Sequence, residues 1–394
     1  MKETNELRDW QNKALELFLE KKQIITEAAT GTGKTFFAVN CINEVLKKQP
    51  NAKILIVVPK LVILKTWLQE LYKYVSIEKI GFYYGEIKEY SQITLTTYAS
   101  VSKINLPLFQ FAIFDEIHNM YTPRLMKLAA YPFDYKLGLS ATIKDEMFYR
   151  HWKLLELFNY NLFTYDIKDA LVDNVLNKFE FYNVKVSIKN TEILDEYVEI
   201  QKSINSLLSA IGGFSVYLTL SIDNKNKLAL NSLFNKRNKL IFNCKEKFVA
   251  LRRIFAENKD KKIIIFNQYN MMGRRIYLMC LSMGLKCRVI NSVLSMQDKK
   301  KYIEDYSNNK YNILITTKMF DEGYNLPAID VAIIFSGDST NKQIQQRIGR
   351  TLRLKDTNSK IYQIFIANTF EERYAEKRAL LFKDLAIKYE TLEV

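Results

Sequence analysis

An α/β fold built on two parallel sheets, each covered by helices, is what this sequence predicts. Short apolar runs alternate with segments of helical spacing through residues 1–165. A second series of the same kind fills the C-terminal part. The length, 394 residues, exceeds what one ordinary core holds, so two domains are expected. The expected division is 1–168 and 169–394, with a mainly helical insert at about 191–258.

Each element follows from its pattern. Ile24 and Ile25 open the first buried strand, and Phe36 to Leu46 reads as a helix. Lys53–Val58, Ile93–Thr96, Phe111–Phe114 and Lys136–Leu139 read as buried strands. Between them Val62–Tyr74 has helical spacing, through Leu64, Trp67, Leu68 and Leu71. Such alternation is expected of a parallel sheet buried on both faces. In the second series Ile263–Phe266, Asn312–Thr316, Val331–Phe335 and Ile361–Ile366 are strands, separated by helical patterns such as Met272–Met283 and Gln297–Asn308. Val184–Ile188 is the expected first strand of that domain. The insert holds long helical stretches broken at Gly212-Gly213 and around Asp223–Asn226.

The net charge is +15 and the pI about 9.3, which favours a polyanionic partner, most simply nucleic acid. The four cysteines (Cys41, Cys244, Cys280, Cys287) include no C-x-x-C pair and only two histidines accompany them, which argues against a zinc site. Scattered thiols suit a reducing compartment. The polar N-terminus is unlike a signal peptide, and no apolar run is long enough to span a bilayer. A soluble cytoplasmic chain, free of membrane and monomeric, is expected.

Chemistry concentrates first in Ala28-Ala29-Thr30-Gly31-Thr32-Gly33-Lys34-Thr35. Glycines let backbone N–H groups curl around an anion, and the following helix adds positive dipole. Lys34 can reach phosphates, and the Thr35 hydroxyl can hold Mg²⁺. The strict phosphate-loop pattern begins with Gly where this chain has Ala28. Asp115-Glu116-Ile117-His118 follows a buried strand, where sheet ligands bind. Asp115 can hold Mg²⁺ through its water shell, and Glu116 can deprotonate an attacking water.

With these segments the chain resembles superfamily 2 helicases of the DExH type. The other motifs stand in order. Arg8 and Gln11 lie in Leu7–Gln11, which resembles the motif whose glutamine reads adenine. Ser140-Ala141-Thr142 resembles the motif that couples hydrolysis to strand movement, implying a coupling role for Ser140 and Thr142, and for His118 of the acidic motif. Asp321-Glu322-Gly323 opens a match to motif V, implying nucleotide contacts for Asp321 and Gly323. Gln346-Arg347-Ile348-Gly349-Arg350-Thr351-Leu352-Arg353 resembles motif VI. On a helix Arg350 and Arg353, three apart, share one face and can neutralise charge on a γ-phosphate. The resemblance implies two RecA-like domains, with ATP and Mg²⁺ between them and Gln346, Arg350 and Arg353 arriving from the second.

For nucleic acid the resemblance points to Pro59 and Trp67, Gly85, Thr96, Thr97 and Tyr98, then Phe266 and Gln268, then Thr316 and Thr317. Threonine hydroxyls suit sugar–phosphate contacts. A tryptophan spaced like Trp67 with Leu64 and Leu71 is more often a core residue, and Tyr98 is as ambiguous. Tyr84-Gly85 followed by Ile93–Ser100, with Gln345–Arg350, is similar to the Rad25/XPB-like branch and to phage helicases of the UvsW kind. The implied activity is an ATP-dependent DNA helicase or translocase acting on forked or branched duplex. Its size suits a minimal motor of a virus or phage. RNA as the strand, remodelling of protein–DNA complexes without strand separation, and a restriction motor subunit are the alternatives.

Overall fold

Among the described residues, fifteen strands form two sheets. The structure is a computed structural model that describes residues 6–143, 148–317, 326–336, 349 and 351–394. Two units are evident. The first runs to Asn177 and takes in the described residues of 321–328 and 342–356; the second holds the rest.

In the first unit the strands are β1 (Gln23–Ala28), β2 (Ile54–Val58), β3 (Ile80–Tyr84), β4 (Ile87–Lys88), β5 (Ile93–Thr97), β6 (Phe111–Asp115), β7 (Tyr135–Ser140) and β8 (Leu162–Tyr165). Their spatial order is β4-β3-β5-β2-β6-β7-β1-β8, parallel except for the β3–β4 hairpin. β2, β5, β6 and β7 are buried at every position, which explains their continuous apolar or threonine-rich runs. The topology puts the ends of β6, β7 and β1 side by side. Ala28, Ser140 and Asp115 therefore terminate three adjacent strands, β1 and β6 being two spacings, roughly 10 Å, apart.

Helices cover this sheet with apolar stripes. α1 (Asp9–Lys21) buries Trp10, Ala14 and Phe18, and Trp10 stacks on Tyr165 at 5.0 Å between ring centroids. α2 (Lys34–Lys48) starts directly after the glycine loop. α3 (Leu61–Leu71) buries Ile63, Leu64, Trp67 and Leu71, one face of a helix.

The second unit holds β9 (Phe179–Val186), β10 (Ile263–Phe266), β11 (Cys287–Ile290), β12 (Ile313–Thr316), β13 (Val331–Ile334), β14 (Ser359–Ile366) and β15 (Lys388–Glu393). The order is β11-β12-β10-β13-β14-β9-β15, and every pairing is parallel. Between β9 and β10 lie helices Thr191–Ala210, Phe214–Thr219, Lys225–Phe242 and Lys245–Glu257. The breaks fall where the sequence signals them. Gly212 and Gly213 take φ of +90° and +105°, and Asn224 caps the next helix by accepting from Asn226 and Lys227 N–H. Thr191–Ala210 and Lys225–Phe242 build a small core of their own around Ile200, Ile204 and Leu230. Lys245–Glu257, which the sequence reading placed in the insert, belongs instead to the sheet's core through Ala250, Leu251, Ile254 and Phe255.

One buried ion pair secures that helix. Lys247, with no exposed surface, places Nζ 2.7 and 3.1 Å from the two carboxylate oxygens of Glu371. Ile366 N–H also donates to Glu371, at 3.0 Å. Burial pushes the Lys247 ammonium below its usual range, and the Glu371 charge holds it up.

Candidate active site

The phosphate loop is fixed from two sides. Gly31 and Gly33 adopt φ of +89° and +98°, which side chains with a Cβ rarely take. A Cβ on Gly33 would meet Gln11 Nε2 at 2.9 Å and Arg8 Nη1 at 3.2 Å. Those two groups approach because they tether the loop. Arg8 Nη1 donates to Thr32 O at 2.5 Å and Gln11 Nε2 donates to Gly33 O at 3.0 Å. Gln11 Oε1 in turn accepts from Arg8 N–H at 2.9 Å. Thr32 Oγ1 donates to Ala29 O at 2.7 Å, closing the turn. Lys34 donates to Ala28 O at 2.7 Å and Ala29 O at 3.3 Å, folding its ammonium over the loop's start. Thr30 and Thr35 are half-buried.

Gly349 packs against this loop. A Cβ on Gly31 would come within 3.1 Å of Gly349 O, and one on Gly349 within 3.0 Å of Thr30 O. Asn177 N–H donates to Leu352 O at 2.7 Å. The sequence reading assigns Gly349 to the second domain, whereas its contacts place it in the first unit. Arg353 is half-buried. Asp321, Gly323, Gln346 and Arg350 lie outside the described residues.

Asp115 ends β6 and is buried. Its Oδ1 accepts from Glu116 N–H at 2.9 Å and its Oδ2 from the Trp67 indole at 2.8 Å. Burial raises its pKa; the Trp67 bond, the Lys34 charge and the Glu116 N–H oppose that rise. Glu116 follows with φ +47° and ψ +54°, a left-handed conformation unusual for a side chain of this size. Such an outlier beside a buried carboxylate marks a site under functional constraint.

A polar chain continues to β7. His118 Nδ1 lies 2.9 Å from Ser140 Oγ and 3.3 Å from Glu116 Oε2. Ser140 Oγ donates its proton to Thr142 O at 2.7 Å and accepts from Thr142 N–H at 3.2 Å. With the serine proton used, the His118 contact requires hydrogen on Nδ1. The structure thus brings Lys34, Asp115, Glu116, His118, Ser140 and Thr142 together. Among the described residues no group of three or more His, Cys, Asp or Glu could enclose a metal.

The nucleic-acid candidates divide. Pro59 and Gln268 are half-buried and Gly85 is exposed with open space around it. Trp67 is fully buried, so the expected strand contact is corrected: its one polar atom serves Asp115. Tyr98 is likewise engaged, its hydroxyl donating to Asp115 O at 2.9 Å. Thr96 is buried and bonds Tyr83 O at 2.7 Å; Thr316 is buried and bonds Ile265 O at 3.1 Å. Both hydroxyls donate to sheet carbonyls. Thr97 donates to Ser100 Oγ at 3.3 Å, Thr317 N–H donates to Ile290 O at 3.2 Å, and Phe266 is a core strand residue, also corrected as a contact. The role of Trp67 was not legible, since its partner is 48 residues away and nothing in helical spacing signals it.

A family model described as the type III restriction enzyme res subunit matches residues 4–145, and one described as the helicase conserved C-terminal domain matches residues 246–355. The chain is 26% identical over 389 residues to the DNA 3'-5' translocase XPB2 of Sulfurisphaera tokodaii, spanning 96% of this chain and 85% of that relative. It is 22% identical to the DNA 3'-5' helicase XPB of Kineococcus radiotolerans over 98% of this chain and 64% of the relative's length. The Hef helicase domain of Pyrococcus furiosus superimposes with a TM-score of 0.63 at 16% identity, covering 94% of this chain and 97% of that one. That likeness establishes the fold, mixed α/β on two parallel sheets. The two family models and the relatives matched along nearly the whole chain support a superfamily 2 helicase of the XPB/Rad25-like branch.

Proposed function

We propose that the chain is an ATP-dependent DNA helicase or translocase that moves 3'-5' and opens or remodels forked or branched duplex. The observation that carries this is the row of strand ends at Ala28, Ser140 and Asp115, which unites phosphate binding, hydrolysis and a coupling element. The loop N–H groups and Lys34 bind the triphosphate. Gln11, with one amide hydrogen beyond its loop bond, reads adenine, and Arg8 keeps it in place. Asp115 and Thr35 would hold Mg²⁺, which a single buried carboxylate plus a hydroxyl suits, since this ion retains waters and takes phosphate oxygens. When bound, the ion neutralises phosphate charge.

Glu116 orients the attacking water and accepts its proton at the carboxylate. Gln346, Arg350 and Arg353 meet charge developing on the γ-phosphate, with Asp321 and Gly323 lining the nucleotide. His118, whose Nδ1 lies near both Glu116 and Ser140, couples the two. Pro59, Gly85 and Gln268 touch the sugar–phosphate chain, aided by the positive charge. No helix among the described residues is long and apolar enough to cross a membrane. We place the chain as a monomer acting on nucleic acid inside the cell.

Strand displacement on a labelled forked duplex, in matched DNA and RNA versions, tests this reading. ATP-dependent displacement of the DNA fork is expected. Displacement of the RNA fork alone overturns the substrate, and DNA-stimulated hydrolysis without displacement overturns strand opening in favour of remodelling.

A further inference from the structure

Trp67 is a fully buried residue whose polar atom does not serve the packing around it. Its neighbours on the α3 stripe, Ile63, Leu64 and Leu71, are apolar, and any large apolar side chain would fill the same space. A buried indole N–H without a partner is costly, so the one supplied has to be accounted for. Here the partner is Asp115 Oδ2, at 2.8 Å. A second aromatic donor reaches the same residue, the Tyr98 hydroxyl at 2.9 Å from Asp115 O.

The sheet order explains how these groups meet. β2 lies between β5 and β6. α3 follows β2, Tyr98 follows β5, and Asp115 ends β6. Two neighbouring connections thus each contribute one aromatic hydrogen to the last residue of β6. Together with Glu116 N–H on Oδ1, both carboxylate oxygens and the main-chain carbonyl are held. A carboxylate has about four lone-pair sites; two are used, leaving two for a cation or its water shell.

We propose that Trp67 and Tyr98 are positioning residues that hold the Asp115 carboxylate in the orientation that receives a hydrated divalent cation, a role that rests on the ATPase reading above. Neither residue touches nucleotide or nucleic acid in this role. Outer-shell partners of metal-binding groups typically govern metal affinity by 10–100-fold.

The test uses the full chain. Tryptophans occur at positions 10, 67 and 152, so a Trp10→Phe, Trp152→Phe background leaves Trp67 as the sole indole. In that background, MgCl₂ added with a non-hydrolysable ATP analogue is expected to shift Trp67 emission. Emission identical with and without Mg²⁺ overturns the proposal. In otherwise wild-type chain, Trp67→Phe is expected to raise the Mg²⁺ concentration for half-maximal ATPase by about 10–100-fold. KM for the nucleotide at saturating Mg²⁺ should stay near wild type. Tyr98→Phe, a half-exposed site, removes one hydroxyl and should raise the Mg²⁺ requirement by roughly fivefold. It keeps the test open if Trp67→Phe does not fold by circular dichroism. An unchanged Mg²⁺ requirement in the folded variants overturns the proposal. A wild-type chain that hydrolyses no ATP overturns the functional reading instead.

Discussion

The proton between Ser140 Oγ and His118 Nδ1, 2.9 Å apart, belongs to the histidine. The serine spends its own on Thr142 O, so it can only accept. Glu116 Oε2 lies 3.3 Å from the same nitrogen, so Glu116, His118 and the segment after β7 adjoin one another. Ser140→Ala deletes the acceptor without touching nucleotide-binding groups. Strand displacement is expected to fall about tenfold while ATP hydrolysis is largely retained. Parallel measurement of both rates on a DNA fork checks it; equal loss of both would refute a coupling role.

Lys34 lies over the start of the loop and its charge reaches Asp115. Lys34→Ala is expected to lower kcat/KM for ATP by about 10²–10³, as for other preorganised electrostatic groups. Arg350→Ala should lower kcat by about 10³–10⁵ and leave binding of a fluorescent nucleotide close to wild type. Single-turnover hydrolysis and equilibrium binding separate the two patterns.

Gly33 is held at φ +98° with Gln11 Nε2 and Arg8 Nη1 against the place a Cβ would occupy. Gly33→Ala should strain the backbone by about 1–2 kcal/mol and push both tethers away. Nucleotide affinity is expected to weaken about tenfold, read by titration with a fluorescent ATP analogue. Wild-type affinity in this variant would show that the tethers do not shape the loop.

Lys247 and Glu371 are both buried, and each is the other's counter-charge. Lys247→Ala leaves a buried carboxylate uncompensated and should cost about 3–5 kcal/mol in the second unit. Lys247→Met with Glu371→Leu removes both charges and should be markedly less costly. Urea unfolding of the three proteins measures the difference.

Much of the fold was readable because buried parallel strands carry continuous apolar runs, as Ile263–Phe266 does over its whole length. The strands that escaped are short or polar. β11 (Cys287–Ile290) and β8 (Leu162–Tyr165) lie at sheet edges, and β15 (Lys388–Glu393) has no buried residue at all. The phosphate loop and acidic pair were legible because their chemistry is local in sequence. The strand contacts are less local, because a threonine such as Thr96 or Thr316 satisfies a sheet carbonyl as readily as a phosphate. Trp67 shows the same limit, its partner being set by topology alone.

The central claim is that Glu116 activates water for hydrolysis driven by DNA. Steady-state ATP turnover of Glu116→Gln, with saturating forked DNA and with none, tests it most directly. The account predicts normal nucleotide and DNA binding with turnover lowered about 10²–10⁴-fold. Near-normal, DNA-stimulated turnover in that variant would contradict it.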